Sequence, residues 1–270
     1  MKPRLLLALA AALSLAAPST FAASGALKDK AVALVKSNKD SVLYIEALVS
    51  LEITVASNPP QKEEKKTELI GTVLDQDGLI VASLSSLDTS SALDGRTVNT
   101  QKGPMKLSVK GEIKEVKIIM PDGSEVPAKV VLKDADLDLA FLKPEKPGTK
   151  FTPINTKDQA PLGLLDDVIV LGRLGKDLNR EPYASTNEII AIVNKPRTFG
   201  KCGAQAIGLP IFNAEGKFIG FGVNRCLNQG ATSRDTRHDV ANGIHPFDLQ
   251  AVGSVIFEPH GLQQIVASAQ

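Results

Sequence analysis

Few side chains in this 270-residue chain can act as a general base at neutral pH, and they come late. The first 237 residues contain no histidine; His238, His245 and His260 fall within the last 33. Imidazole is the side chain whose ordinary pKa, about 6.5, suits proton transfer near pH 7. A serine or cysteine nucleophile would therefore have to draw its base from the C-terminal stretch. The histidine gaps of 7 and 15 residues do not match compact zinc spacing, so surface or capping roles are expected, with no metal and no cofactor. His238 beside Asp239 could form an improvised dyad, but adjacent strand residues point to opposite faces. Cys202 and Cys226 are the two thiols, usable as a nucleophile or as a disulfide.

The N-terminus settles which environment those thiols are expected to meet. Lys2 and Arg4 precede an apolar run from Leu5 to Ala17, and Thr20-Phe21-Ala22 offers a small-x-small cleavage site. Residues 1–22 thus read as a signal peptide. The run is shorter than the roughly 20 apolar residues a bilayer requires. The expected protein is exported, periplasmic or secreted, without a stable membrane anchor, and oxidising conditions favour the disulfide. Without the leader, 29 basic residues face 30 acidic ones, which gives no case for nucleic acid as a partner. Aromatic residues make up 4% and Trp is absent, so any core must be built from Val, Ile, Leu and Ala.

The elements that must position these groups are mostly short strands. Ala26 to Ser37 has helical spacing, placing Leu27, Ala31, Leu34 and Val35 on one face. From Ser41 the sequence turns β-branched, and VLYIEALVSLEITV reads as one long strand or two. Asn58 to Lys66 (NPPQKEEKK) is expected as a solvated loop at a hairpin tip. ELIGTVLD, the Gln76-Asp77-Gly78 turn and LIVAS form a hairpin signal. Residues 88–111 are Ser/Thr/Gly-rich and are expected as an inserted loop. EVKIIM, EVPAKVVL and LDLAFLK continue the strands, and Pro144 to Lys150 is the best internal connector. DVIVLGRLG, NEIIAIVNK, AQAIGLPIF and KFIGFGVNR repeat the style, residues 229–242 read as irregular, and PHGLQQIVASAQ reads as a terminal helix. Many short strands with helices only at the ends argue for an all-β fold of antiparallel barrels.

Several segments, in order, resemble trypsin-like peptidases of the bacterial HtrA (Deg) type. KAVALVKSNKDSVLYIEA resembles that family's opening, and GTVLDQDGLIVASLSSLD its hairpin leading into the helix of the catalytic histidine. PDGSEVPAKVVLKDADLDLAFLK matches best, and IGLPIFNAEGKFIGFGV resembles the strand pair around the nucleophile. The resemblance implies a trypsin-like double β-barrel with the site between the barrels. The expected parts are the signal peptide, an N-terminal helix over 23–40, a first barrel over 41–148 and a second barrel with C-terminal helix over 149–270. No sequence remains for a PDZ domain.

The same resemblance implies a degenerate triad. The histidine position falls on Ser85, and shifts of three residues either way meet no imidazole. The orienting carboxylate falls on Asp138 and the nucleophile on Ile207, or on Ala206 counted from Cys202. The glycine-rich nucleophile turn reads AQAIGLP. Serine-type hydrolysis needs a hydroxyl, a base, an orienting carboxylate and oxyanion donors, so no active catalytic residue is predicted. Lys201-Cys202-Gly203 is faintly similar to the Gly-x-Cys-Gly of cysteine peptidases on the same barrels, but Cys202 lies too far ahead of Pro210 for the nucleophile turn. Trypsin-like enzymes instead imply a Cys202–Cys226 disulfide around the intervening hairpin. The expected function is an exported, inactive protease homologue binding a peptide or protein in its inter-barrel cleft. The alternative is an active serine- or cysteine-type endopeptidase with a displaced triad, and a structural envelope component is a third reading.

Overall fold

The computed structural model describes residues 19–55, 58–100, 103–135, 137–194, 198–203, 206–226 and 240–245. It opens with helix α1 (Ser19–Asn38), which starts ahead of the predicted helix and takes in the predicted cleavage site. Residues 1–18 of the predicted leader lie outside the described residues. Ala31 and Leu34 bury the helix against a core made chiefly of second-barrel residues.

The first barrel is built from β1 (Val42–Val55), β2 (Gln61–Val73), β3 (Ile80–Ser83), β4 (Thr97–Thr100), β5 (Gly103–Ile119), β6 (Glu125–Asp134) and β7 (Leu139–Pro144). The sheet order is β1-β2-β3-β7-β6-β5-β4, and β1 also pairs with β5, so six strands run in a ring with β4 outside it. Two expectations are corrected here. The segment 58–66 is not all loop: Gln61 to Lys66 continue β2 in register with β1, from Ile53↔Gln61 to Leu48↔Lys66. Six polar residues have poor strand propensity alone, but the β1 backbone supplies their ladder. The segment 88–111 is likewise not a loop. It forms helix α3 (Ser90–Leu93), β4 and the first half of β5. Met105, Leu107, Val109 and Ile113 face one way along β5, and Lys106, Ser108, Lys110 and Lys114 the other. β1 lies between β2 and β5 along this stretch, and β4 pairs only with the first four residues of β5.

The second barrel closes in the order β10-β13-β12-β11-β8-β9. Its strands are β8 (Asp167–Arg173), β9 (Pro182–Val193), β10 (Phe199–Cys202), β11 (Pro210–Asn213), β12 (Phe218–Cys226) and β13 (Val240–His245). β10 has no counterpart in the sequence reading, and β13 overturns the irregular reading of 229–242 from Val240 onward, because FGKC and VANGIH carry little apolar alternation to mark a strand. The predicted terminal helix lies outside the described residues.

β3 and β7 are buried on both faces, which fixes the site. Ile80, Ala82, Ala140 and Leu142 point into the first barrel's core. Val81, Leu139 and Phe141 point the other way, into a cluster shared with Ile169, Ile211 and Phe218 of the second barrel. The period-2 alternation of these strands therefore joins the barrels through continuous apolar packing.

Candidate functional site

Between the barrels, β3 runs directly into a single-turn helix, α2 (Leu84–Leu87). Ser83 caps it, its Oγ accepting the Ser86 amide at 3.1 Å. Across the sheet, Ser83 is paired with Leu139, so the residue before β7 is Asp138, facing the start of α2. Asp138 has φ +57, in the left-handed region that Asp tolerates better than most residues. In this conformation both of its acceptor groups meet the same turn. Its carbonyl accepts the Leu84 amide at 2.9 Å. Its carboxylate accepts the Ser85 amide at 2.7 Å and the Ser85 hydroxyl at 2.7 Å, one on each oxygen. Ser83 Oγ adds a longer contact of 3.4 Å. Asp138 is buried, and Ser85 is half-buried.

This places two of the three expected positions in direct contact. Ser85 stands where an imidazole would accept orientation from Asp138, and its hydroxyl takes that hydrogen bond itself. A serine hydroxyl bound to a carboxylate is not a base near pH 7.

The third position lies on the opposite wall. Ala206 to Leu209 form a tight turn closed by the Leu209 amide on the Ala206 carbonyl at 2.8 Å. Gly208 takes φ +75 at the third residue, as a type II turn requires. A Cβ on Gly208 would lie 2.9 Å from Ala82 backbone atoms and 3.0 Å from the Ser83 nitrogen, so only glycine fits there. Thr72, buried in β2, donates to the Gly208 carbonyl at 2.8 Å. The Gly208 amide donates to Gly222 at 2.8 Å. Ile207 is half-buried against the shared core and offers no hydroxyl, and Ala206 is buried. The amides of Gly208 and Leu209 are both engaged within the fold, so neither is presented to a bound carbonyl.

His245 ends β13 opposite Phe221, with its side chain outside the described residues; His238 and His260 lie outside them entirely. Cys202 is buried in β10, and Cys226 ends β12, its side chain again outside the described set. No disulfide forms among the described residues. Among these residues no group of three or more His, Cys, Asp or Glu is arranged to hold a metal ion.

Sequence reasoning missed a polar seam beside the site. Arg173, at the end of β8, donates to the carbonyls of Val42 and Lys39, and to that of Arg180 at 3.0 Å. The Tyr44 hydroxyl donates to the Leu174 carbonyl, and the Arg180 guanidinium lies 4.8 Å from the centre of the Tyr44 ring. Burial pushes the Tyr44 hydroxyl above its ordinary pKa. Glu46 pairs with Lys66 at 2.6 Å and faces Arg180 at 3.9 Å. The hydrogen bond from Lys66 is the main reason the Glu46 carboxyl is held below the usual carboxylate range. Val42, held by Arg173, is also the β1 partner of Thr72, so the seam leads directly to the Gly208 turn. The available signal was an arginine ending an otherwise apolar strand.

A sheet curled by its β1–β5 pairing and a closed six-stranded barrel, with Asp138 on one wall and the Ile207 turn on the other, make a trypsin-like double β-barrel. Residues 70–221 match the trypsin-like peptidase domain family, and the chain belongs to it. It is also similar to a probable periplasmic serine endoprotease, DegP-like, of Rhizobium meliloti (strain 1021). That likeness is 30% identity over 118 residues, covering 38% of this chain and 21% of that protein. The chain thus spans about a fifth of the length of that curated relative. Among solved structures, Deg5 is 20% identical, with 85% of this chain and 95% of that chain covered at a TM-score of 0.51, a likeness of fold. The MamO protease domain of Magnetospirillum magneticum, apo form, is 16% identical over 81% of this chain and 96% of that one, at a TM-score of 0.45.

Proposed function

We propose that this chain is an exported, catalytically inactive member of the trypsin-like peptidase family that binds a peptide or protein segment in its inter-barrel cleft. The observation that carries the reading is the Asp138 carboxylate satisfied by the amide and hydroxyl of Ser85. A carboxylate so engaged holds the Ser85 turn together. Ile207 at the nucleophile turn removes the second requirement, a hydroxyl that can attack. What persists is the framework: both barrels, the glycine contact at Gly208 and the shared core. Two barrels already packed on one another suit recognition of an extended chain, because little ordering cost falls on the protein side. Export is supported by the N-terminal sequence and by the periplasmic description of the DegP-like relative.

Fluorescence anisotropy with a labelled library of unstructured peptides tests the binding role. Saturable binding is expected, weakened at least tenfold by Ile207→Arg, which adds bulk and charge to the cleft wall. Binding unchanged by that variant would remove the cleft from the account. The Cys202–Cys226 disulfide belongs to the same proposal. Thiol titration of the unreduced protein in denaturant is expected to find no free thiol, and two titrating thiols would overturn the pairing.

A further inference from the structure

β2, β1, β5 and β4 lie side by side in that order, and the two outer edges of this stretch differ in character. On the β2 side, Gln61 to Lys66 pair with β1 alone, since β3 joins β2 only from Gly71. All of these residues except Gln61 are charged. Charges along an edge discourage another strand from adding to it. On the β4 side, Thr97, Val98, Asn99 and Thr100 pair with β5 alone, and none of them is charged. Thr and Val suit a strand, so this edge carries none of the protection found on β2.

The ladder fixes which groups the β4 edge presents. The Leu107 amide donates to the Arg96 carbonyl at 2.8 Å, and Thr97 pairs with Lys106. Residues of an antiparallel strand turn their backbone groups to alternate sides, so Val98 and Thr100 bond toward β5. Thr97 and Asn99 direct their N–H and C=O groups outward, and both residues are exposed. No described strand takes these bonds.

Charge selects the partner. Lys106 shares a face with its pair mate Thr97 and with Asn99, whose short side chains leave it access to the edge. An added strand would lie two strand spacings, about 10 Å, from β5, a gap that a lysine and a glutamate span together. Arg96 precedes Thr97 and flanks the edge on the opposite face, the face of Val98. Both cations are exposed and enter no ion pair among the described residues. Asp94, close by in the chain, has a carboxylate oxygen accepting the Val109 amide at 2.9 Å. A second copy of β4 would bring two sets of the same cations to one join, so the edge fits an acidic strand better than itself.

We infer that the outer edge of β4 is a strand-addition site for an extended segment of a partner protein that carries acidic side chains. The backbone of Thr97 and Asn99 binds the segment's main chain, while Lys106 and Arg96 select aspartate or glutamate on its two faces. The site is separate from the inter-barrel cleft and does not rest on what that cleft binds.

Anisotropy of a fluorescein-labelled peptide, TEVEVT, titrated with the full chain tests it, with TKVKVT as the basic counterpart. Saturable binding of TEVEVT is expected, with TKVKVT about tenfold weaker. Asn99→Pro removes an outward N–H and leaves the β4–β5 ladder bonds in place. It should weaken TEVEVT about tenfold, the worth of roughly one hydrogen bond. Lys106→Glu, an exchange at an exposed position, should abolish the preference for the acidic peptide. Absence of TEVEVT binding, equal binding of the two peptides, or binding unaltered by Asn99→Pro would overturn the inference. Loss of the signal in Ile207→Arg with Asn99→Pro unaffected would place the peptide in the cleft instead and equally sink it. A dimer in sedimentation velocity that Asn99→Pro abolishes would assign the edge to a second copy of the chain, against the inference.

Discussion

Ser85 is short enough to place its hydroxyl and its own amide on the two oxygens of one buried carboxylate. That arrangement makes it structural, and its removal should be felt as stability. Ser85→Ala should cost about 1–2 kcal/mol in urea unfolding, the usual cost of leaving a buried polar group under-satisfied. Gly208 poses a different demand, since it needs both a positive φ and the absence of a Cβ against Ala82. Gly208→Ala should lose more than about 2 kcal/mol, whereas Gly95→Ala, with φ +72 but open space around it, should lose only about 1 kcal/mol. Equal losses in the two variants would show that the inter-barrel contact carries no energy. Ser85 was legible from its distance to the Asp77-Gly78 turn. Its bond to Asp138 was not, because nothing in the sequence announces the left-handed backbone that aims the carboxylate. Thr72 was hidden for a related reason: a lone threonine in an apolar strand gives no sign that it reaches a carbonyl 136 residues away.

At the scale of elements, the β1–β2 hairpin and the seam behind it set how the barrels meet. Glu46 on β1 is held ionised by Lys66 on β2, with Arg180 of the β8–β9 connection beyond it. Because the folded pKa of Glu46 is lowered, its contribution is fully present above the unfolded value, about 4.3. It is lost as pH falls through the lower folded value. Lys66 is raised by the same partner, so its contribution is present below about 10.4 and lost as pH rises past the folded value. In Lys66→Met the Glu46 carboxyl should titrate at higher pH by NMR, and an unmoved titration would show that the pair is not formed in solution. Arg173→Ala removes a cation serving three carbonyls and should destabilise the protein by about 2 kcal/mol. The hairpin also marks where pattern reading stopped. QKEEKK has no alternation to betray a strand, because both of its faces are solvated and only the β1 ladder holds it. From Pro104 onward the alternation was present in MKLSVK, but it was masked by the Ser/Thr-rich residues preceding it.

Taken whole, the molecule keeps what joins two barrels, and on the proposed reading that joint binds without catalysing. β3 and β7 serve both cores, and α1 packs on the second barrel before the chain enters the first. The barrel order was legible because turn signals and short apolar runs recur along both halves. Incubation of the purified full-length chain with a fluorophosphonate probe and with denatured casein, followed by intact-mass measurement of both, tests the central claim most directly. The account predicts no adduct on the chain and no shortened casein beyond buffer controls. A stoichiometric adduct, or casein cleavage abolished by Asp138→Ala, would contradict it.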